Sequence, residues 1–193
     1  MTLAHGLQRS INLLQGFRSQ FDDPDRFYTL LAEDTVALIE RYQPVARQRV
    51  VDVGGGPGYF AKAFRSSGAV SVFVEPYWEE MTARGRALGY GIVGDGLKLP
   101  FADGSFDISH SSNVLEHVVS PKILFDELIR VVRPGGVVFL AFTNWFSPFG
   151  GHEMSAWHYL GGVSEQRFGT NGSSVTLPTT ATVPACSGWI LPG

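Results

Sequence analysis

The 193-residue sequence has little of what marks several protein classes. A single cysteine, Cys186, rules out a disulfide within the chain, and no apolar run reaches the roughly 18 residues that span a membrane. Basic residues are also scarce: 15 Lys and Arg face 18 Asp and Glu, so the net charge of −3 offers no positive surface to nucleic acid or an anionic membrane. Because no secretory signal is recognisable, we expect a cytoplasmic protein with neither nucleic-acid nor membrane partners.

Residues 169–193 lack charged side chains altogether. All Lys, Arg, Asp and Glu residues lie within residues 1–168, and the uncharged tail is rich in Thr, Gly, Pro and Ser. Because 44% of the residues are hydrophobic, the chain as a whole still has enough apolar material for a core. We therefore predict four segments: an N-terminal helical segment (1–46), an α/β core (47–146), a loop region (147–168) and an atypical tail (169–193).

The segment before residue 47 is predicted to be mostly helical. Asp23 and Pro24 form a typical helix start, and a helical stripe of apolar side chains runs from Phe27 to Tyr42. Pro44 then ends the pattern, because proline cannot continue a helix. A shorter helix is predicted over residues 7–17.

From Arg49 onward, short apolar runs alternate with helical segments, the pattern typical of a parallel sheet with crossover helices. The strands are predicted near residues 49–53, 70–75, 91–93, 106–110 and 136–142. The intervening helices are predicted at 59–67, at 77–88, and from Ser120 and Pro121 to a turn at 133–136. This order predicts an α/β fold, a doubly wound Rossmann-like parallel sheet with flanking helices.

A glycine-rich turn follows the first predicted strand, in the sequence VVDVGGGPG at residues 50–58. Glycines let a ligand approach the backbone closely, and the next helix offers free N–H groups, so the turn predicts a nucleotide-like ligand. Gly54, Gly56 and Gly58 form G-x-G-x-G, but Tyr59 stands where the dinucleotide fingerprint needs its third glycine. A nucleotide-dependent oxidoreductase is therefore a weaker alternative, and a Walker-type phosphate loop fails because no Gly-Lys-Ser/Thr follows.

Three acidic residues, Asp52, Glu75 and Asp95, end three successive predicted strands. Because the carboxyl ends of parallel strands share one edge of a sheet, we expect these carboxylates to converge beside the glycine turn. No Lys or Arg lies in the three turns. Such a site suits a cationic ligand with ribose hydroxyls and an exocyclic amine better than it suits a polyphosphate.

Four sequence blocks between residues 47 and 146 together resemble the class I S-adenosylmethionine-dependent methyltransferases of the small-molecule type. The blocks are VVDVGGGPGYF, VFVEP, GDGLKLPFADGSFDISHSSNVLEHV and LIRVVRPGGVVFLAF. The resemblance implies that the core binds S-adenosyl-L-methionine and that a methyl group passes to a small-molecule acceptor. It also implies roles for particular residues of this chain.

Around the donor, the resemblance places Gly54, Gly56 and Gly58 beside the methionine moiety and the ribose. It implies that Asp52 shapes the loop or holds the amino end of the donor. Glu75 matches the acid that accepts hydrogen bonds from the ribose hydroxyls.

At the adenine and the reacting end, the resemblance implies a second set of residues. Asp95 matches the acid that accepts from the adenine N6 amine, with Gly96 or Leu97 beside the ring. Ser111 and Asn113, at the end of the fourth strand, are implied to face the sulfonium and the acceptor.

The region after the fifth predicted strand supplies the candidates for acceptor binding. These are Asn144, Trp145, His152 and His158, which either line an acceptor pocket or belong to the core.

No metal is predicted, because the H-E-x-x-H motif starting at His152 would need a histidine at Ala156. Glu116 and His117 offer a base or ligand, but a helix-start or packing role is favoured. No catalytic residue is predicted, because methyl transfer depends mainly on positioning.

Methyltransferases of the type that the chain resembles typically continue with two further strands, for which residues 163–193 provide no convincing pair. We therefore expect a sheet that lacks its usual last strands, either because a frameshift replaces the C-terminus or because the chain is a naturally short variant. The leading prediction is a small-molecule methyltransferase, and an inactive truncated form that at most binds the donor is the first alternative. The oligomeric state and the acceptor are not predicted.

Overall fold

A computed structural model describes residues 22–142 except 84 and 86, together with residues 9, 11–13, 16 and 17. The predicted loop region 147–168, the tail 169–193 and any further strands lie outside the described residues. Within the predicted helix at 7–17, residues 9, 11–13, 16 and 17 are described, and they are helical. Within the described part of the chain, no helix is long and apolar enough to cross a membrane.

The first long helix, α1 (Pro24–Ile39), begins where the sequence predicts. The Asp23 carboxylate accepts a hydrogen bond from the backbone N–H of Arg26 at 3.1 Å, and Pro24 occupies the first turn. The apolar stripe of α1, including Phe27, Val36 and Ile39, is buried. The helix ends a few residues before Pro44, and the stripe anchors the N-terminal segment to the rest of the fold.

Five strands form one parallel sheet, as predicted. They are β1 (Arg49–Val53), β2 (Val70–Glu75), β3 (Gly91–Val93), β4 (Phe106–Ser112) and β5 (Val132–Ala141). The order across the sheet is β3-β2-β1-β4-β5, and every neighbouring pair is parallel. Because β1 is central, its residues Val50, Val51 and Val53 are buried on both faces, which explains its continuous apolar run.

Helices cover both faces of this sheet, and those that follow α1 in the described part of the chain are α2 (Tyr59–Ser66), α3 (Trp78–Met81) and α4 (Pro121–Arg130). Side chains alternate between faces along β1. Val50 therefore packs into the core formed with α1 and α2, whereas Val51 and Val53 pack into the core formed with α4. The confirmed fold is thus a doubly wound α/β sheet.

The prediction of a helix over 77–88 is wrong, because α3 ends at Met81. Gly85 adopts a left-handed φ of 81°, and the Thr82 hydroxyl donates to the Trp78 carbonyl at 2.8 Å. The Leu88 N–H donates to the Pro57 carbonyl at 2.7 Å, which draws this segment towards the glycine turn instead of continuing the helix.

The prediction of a turn at 133–136 that separates α4 from β5 is also wrong, because β5 already begins at Val132. The register between β4 and β5 jumps from Phe106 opposite Val132 to Ile108 opposite Val137. Gly135, with a φ of 79°, lies in the extra length on β5. The Arg-Pro-Gly-Gly sequence therefore forms a bulge inside the strand.

Candidate functional site

A cleft opens at the carboxyl ends of β1 to β4, where the predicted site residues were expected to converge. It brings together seven of them: Gly54, Gly56, Glu75, Asp95, Gly96, Leu97 and Asn113. Its remaining lining residues are Val53, Pro76, Tyr77, Glu80, Val114, His117, Val118, Val119 and Leu124. Three carboxylates and no Lys or Arg are found among these described lining residues, so the cleft has an acidic character.

The glycine turn between β1 and α2 forms the floor of this cleft. Gly54 has a φ of 74°, and a Cβ there would overlap the side chain of Val114, so packing demands a glycine. Gly56 also has a positive φ, 49°, but nothing lies within 4 Å of where its Cβ would be. Gly58 does not line the cleft; a Cβ there would come 2.8 Å from the ring of Phe73. Gly56 is thus the glycine beside which a ligand can approach the backbone.

Glu75 lies at the end of β2 and is 1% exposed. Its Oε2 accepts a hydrogen bond from the Gly56 N–H at 3.0 Å, and its Oε1 accepts one from the Tyr77 N–H at 3.3 Å. Burial raises the pKa of Glu75 above its ordinary value although these two bonds favour the charged form, and the charges of Glu80 and Asp52 add to the rise. Because a carboxylate has about four lone-pair sites, Glu75 can still accept hydrogen bonds from ligand hydroxyls.

Asp95 follows β3 on the neighbouring side of the cleft. Its Oδ1 accepts a hydrogen bond from the Leu97 N–H at 2.8 Å, and its carbonyl accepts from the Lys98 N–H at 3.1 Å. These bonds close a tight turn that holds the half-buried carboxylate at the cleft wall. A Cβ at Gly96 would come 3.0 Å from Val53, so the turn packs closely on the end of β1.

Asp52 and Ser111, predicted beside the donor, are buried and do not line the cleft. Asp52 Oδ1 lies 2.7 Å from Nδ1 of His110, its neighbour across the β1–β4 ladder. Its Oδ2 lies under the glycine turn, where a Cβ at Gly55 would come within 2.8 Å of it. The Ser111 hydroxyl donates to the Val53 carbonyl at 3.0 Å. Of the two roles expected for Asp52, this geometry favours shaping of the loop.

His110 is a buried polar residue beneath the cleft that the sequence pattern did not single out. It is fully buried, and its ring centroid lies 4.5 Å from that of Phe60 and 5.4 Å from that of Phe139. The available signal was a histidine between two serines in the fourth predicted strand, but its partner became apparent only with the pairing of β1 and β4.

The cleft also includes residues that the sequence analysis did not place there. Tyr77 and Glu80 follow β2, and Val118 and Val119 follow β4. His117, for which a helix-start or packing role was favoured, lines the cleft as well. The available signal was position alone, since these residues directly follow strands whose carboxyl ends form the site.

The four predicted acceptor-binding residues, Asn144, Trp145, His152 and His158, lie outside the described residues. The histidines considered for a metal site are among them. In the part of the chain that is described, no group of three or more His, Cys, Asp or Glu side chains is arranged to hold a metal ion.

The family model and the curated relatives to which the chain is similar are both described as methyltransferases. Residues 51–140 match the family model described as "Methyltransferase domain". Uncharacterized methyltransferases of Mycobacterium tuberculosis and Mycolicibacterium gilvum are 49% and 50% identical to this chain over 167 residues, or 81% of its length. The chain spans only 66% and 65% of the lengths of these two relatives. A crystal structure of a Pyrococcus horikoshii protein superposes with a TM-score of 0.56 at 25% identity, covering 67% of this chain and 61% of that one.

Proposed function

The chain belongs to the class I S-adenosylmethionine-dependent methyltransferases, and from that premise we propose that it transfers a methyl group to a small-molecule acceptor. One observation carries the proposal: the cleft combines a glycine turn with the carboxylates of Glu75 and Asp95, and none of its described lining residues is Lys or Arg. An acidic cleft of this kind favours a cationic nucleoside over a polyphosphate. The donor supplies an electrophilic methyl group on a positively charged sulfur.

The residues of the cleft fit the proposed donor. Glu75 would accept hydrogen bonds from the ribose hydroxyls, and its bond to the Gly56 N–H fixes the carboxylate beside the glycine turn. Asp95 would accept from the adenine amine, with Gly96 and Leu97 beside the ring. The open space at Gly56 leaves room for the donor against the backbone. These residues would bind and orient the donor. Such orientation of the reacting groups supplies much of the rate enhancement in a displacement reaction.

The acceptor would enter beside the residues that follow β4. Val114, Val118 and Val119 give this part of the cleft an apolar wall, and Asn113 and His117 add polar groups. Mostly apolar walls with a few polar groups are typical of small-molecule sites. An acceptor that must lose a proton would need a base, and His117 is the histidine in position to serve.

Titration calorimetry with S-adenosylhomocysteine and with NADH tests the donor. We expect S-adenosylhomocysteine to bind, Glu75→Ala to abolish binding, and Glu79→Ala, outside the cleft on α3, to leave it unchanged. Binding of NADH instead would favour an oxidoreductase and contradict the proposal.

The acceptor is tested by incubating the full chain with methyl-labelled donor and pools of small molecules, with protein and nucleic acid as separate pools. We expect the label in a small-molecule fraction. Label in a macromolecular pool would contradict the small-molecule acceptor, and donor binding without transfer to any pool would favour the inactive form.

A further inference from the structure

One face of α4 supports the loop that carries Asp95. Leu124, Glu127 and Arg130 are spaced three residues apart, so they lie along one side of the helix. Leu124 lines the cleft, and a Cβ at Gly96 would come 3.4 Å from it. The other two residues contact the part of the loop that directly follows the Asp95 turn.

Glu127 and Arg130 form a bidentate pair. Arg130 Nε donates to Glu127 Oε1 at 2.7 Å, and Nη2 donates to Oε2 at 2.8 Å. Hydrogen bonding from Arg130 holds the pKa of Glu127 below its ordinary value, so the carboxylate stays charged at neutral pH. The fork geometry orients both side chains towards the loop.

The pair holds the loop mainly through backbone groups. Glu127 Oε2 accepts from the Leu99 N–H at 2.7 Å, and Arg130 Nη2 donates to the Leu99 carbonyl at 3.2 Å. Arg130 Nη1 donates to the Phe101 carbonyl at 2.8 Å and to Asp103 Oδ1 at 2.7 Å. Both backbone groups of Leu99 are therefore bound to α4.

Leu99 is close enough to Asp95 for this attachment to matter. The Asp95 turn is closed by the hydrogen bond from the Lys98 N–H to the Asp95 carbonyl, and Leu99 comes next. Leu99 itself is 4% exposed and packs in the core beneath. A shift of Leu99 would thus move the turn and the Asp95 carboxylate, because Leu99 directly follows the residue that closes the turn.

We propose that the Glu127–Arg130 pair is a positioning device that places the Asp95 carboxylate and so sets the selectivity of the cleft for adenine. The inference rests on the proposed function, in which Asp95 accepts from the adenine amine. The Glu127–Arg130 ion pair by itself would contribute little to stability, since the side chain of Arg130 is 31% exposed. Its role comes from where it holds the backbone.

The test compares two ligands that differ at the adenine amine. S-adenosylhomocysteine has the amine, and S-inosylhomocysteine has a carbonyl in its place. We expect the wild-type chain to bind the adenosyl compound about 10- to 100-fold more tightly, as for one hydrogen bond to a charged group. In Arg130→Met, which keeps the side-chain length but no donor, we expect this preference to fall at least about fivefold.

Arg133→Met is the matched control. Arg133 Nε binds Asp107 at 2.5 Å, away from the cleft, so its loss should lower stability without changing the preference. Glu127→Gln keeps an acceptor for the Leu99 N–H and should shift the preference in the same direction by less, and it serves as the test if Arg130→Met does not fold.

The outcomes separate the two proposals. A folded Arg130→Met or Glu127→Gln variant that binds the adenosyl compound with the wild-type preference would overturn the positioning role alone. A wild-type chain that binds both compounds equally would overturn the role of Asp95 and the inference with it. Binding of neither compound would overturn the proposed function itself.

Discussion

Both ends of the sheet carry buried acidic side chains, but the groups that surround these side chains differ between the two ends. At the amino end, Asp107 accepts from the Arg49 N–H at 2.8 Å and from the guanidinium groups of Arg133 and Arg49 at 2.5 and 3.3 Å. Burial opposes its ionisation, but these bonds outweigh burial and lower the pKa of Asp107 to about 2. At the carboxyl end, Glu75 is held by two backbone N–H groups, and burial raises its pKa.

The contrast indicates what each acid is for. A buried carboxylate with arginines around it has its hydrogen bonds satisfied within the fold, and the loss of one partner is destabilising. A buried carboxylate without a cation costs stability, and such groups occur where a ligand supplies the missing interactions. We therefore infer that the amino end is structural and that the carboxyl end is the binding end.

Asp52 is the most demanding test of this contrast. It lies at the carboxyl end of the sheet, but its partner is the side chain of His110, as in a structural pair. We expect His110→Phe to lower the free energy of unfolding by about 3 kcal/mol, since it leaves a buried carboxylate without its hydrogen-bond donor. Urea denaturation of the purified chain measures the change.

The double variant Asp52→Asn with His110→Phe is the control, because it leaves no buried charge. We expect it to recover a large part of the lost stability. If both variants lose the same amount of stability, packing of the imidazole rather than its hydrogen bond to Asp52 explains the cost.

Glu75→Gln should separate binding from stability. Under the proposed function, loss of the charge removes the strong acceptor for the ribose hydroxyls, so we expect affinity for S-adenosylhomocysteine to fall about 100-fold, or about 2.7 kcal/mol. Calorimetry measures the affinity, and Glu79→Gln provides the same chemical change outside the cleft.

The free energy of unfolding should depend on pH differently in the wild type and in Glu75→Gln. Because the pKa of Glu75 is raised on folding, the folded chain binds its proton more tightly than the unfolded chain does. The free energy of unfolding of the wild type therefore falls as pH rises from the ordinary pKa of glutamate through the raised one. The variant should lack this fall in denaturation curves, and an unchanged pH profile would argue against an energetic cost of burying Glu75.

At the opposite end, Asp107→Asn should lower stability and leave donor affinity unchanged. We expect a loss of about 1–2 kcal/mol at neutral pH, since the interactions with two arginines weaken. The lowered pKa means that this stability is present above the ordinary value of 3.8 and disappears as pH falls through about 2. Denaturation at several acidic pH values measures it.

The exposed pair of Lys122 and Asp126 on α4 provides the comparison for Asp107. Asp126→Asn makes the same chemical change at a side chain that is 55% exposed, and we expect little effect on stability. Equal losses of stability in the two variants would contradict a stabilising role for the hydrogen bonds of Asp107 with Arg49 and Arg133.

Local sequence pattern predicted much of the fold and of the binding end. Apolar runs predicted the bounds of β1, β2 and β3, and strand ends predicted that Glu75 and Asp95 would meet at one cleft. The pairing of Asp52 with His110 could not be predicted, because it depends on β1 lying next to β4, and the partners are 58 positions apart in the sequence. The early end of α3 likewise depends on a bond from Leu88 to the glycine turn, which no local pattern reveals.

Asp95 is the more exposed of the two proposed ligand-binding acids, and we expect a smaller effect there than at Glu75. Asp95→Asn keeps an oxygen that can accept from the Leu97 N–H, so the turn should hold and stability should stay within about 0.5 kcal/mol. The lost charge weakens one hydrogen bond to the adenine amine, and we expect about a 10-fold loss of affinity for S-adenosylhomocysteine. Affinity for S-inosylhomocysteine should change less, because that ligand lacks the amine. Calorimetry with both ligands measures the difference, and equal losses for the two would mean that Asp95 acts through the general acidity of the cleft and not through adenine.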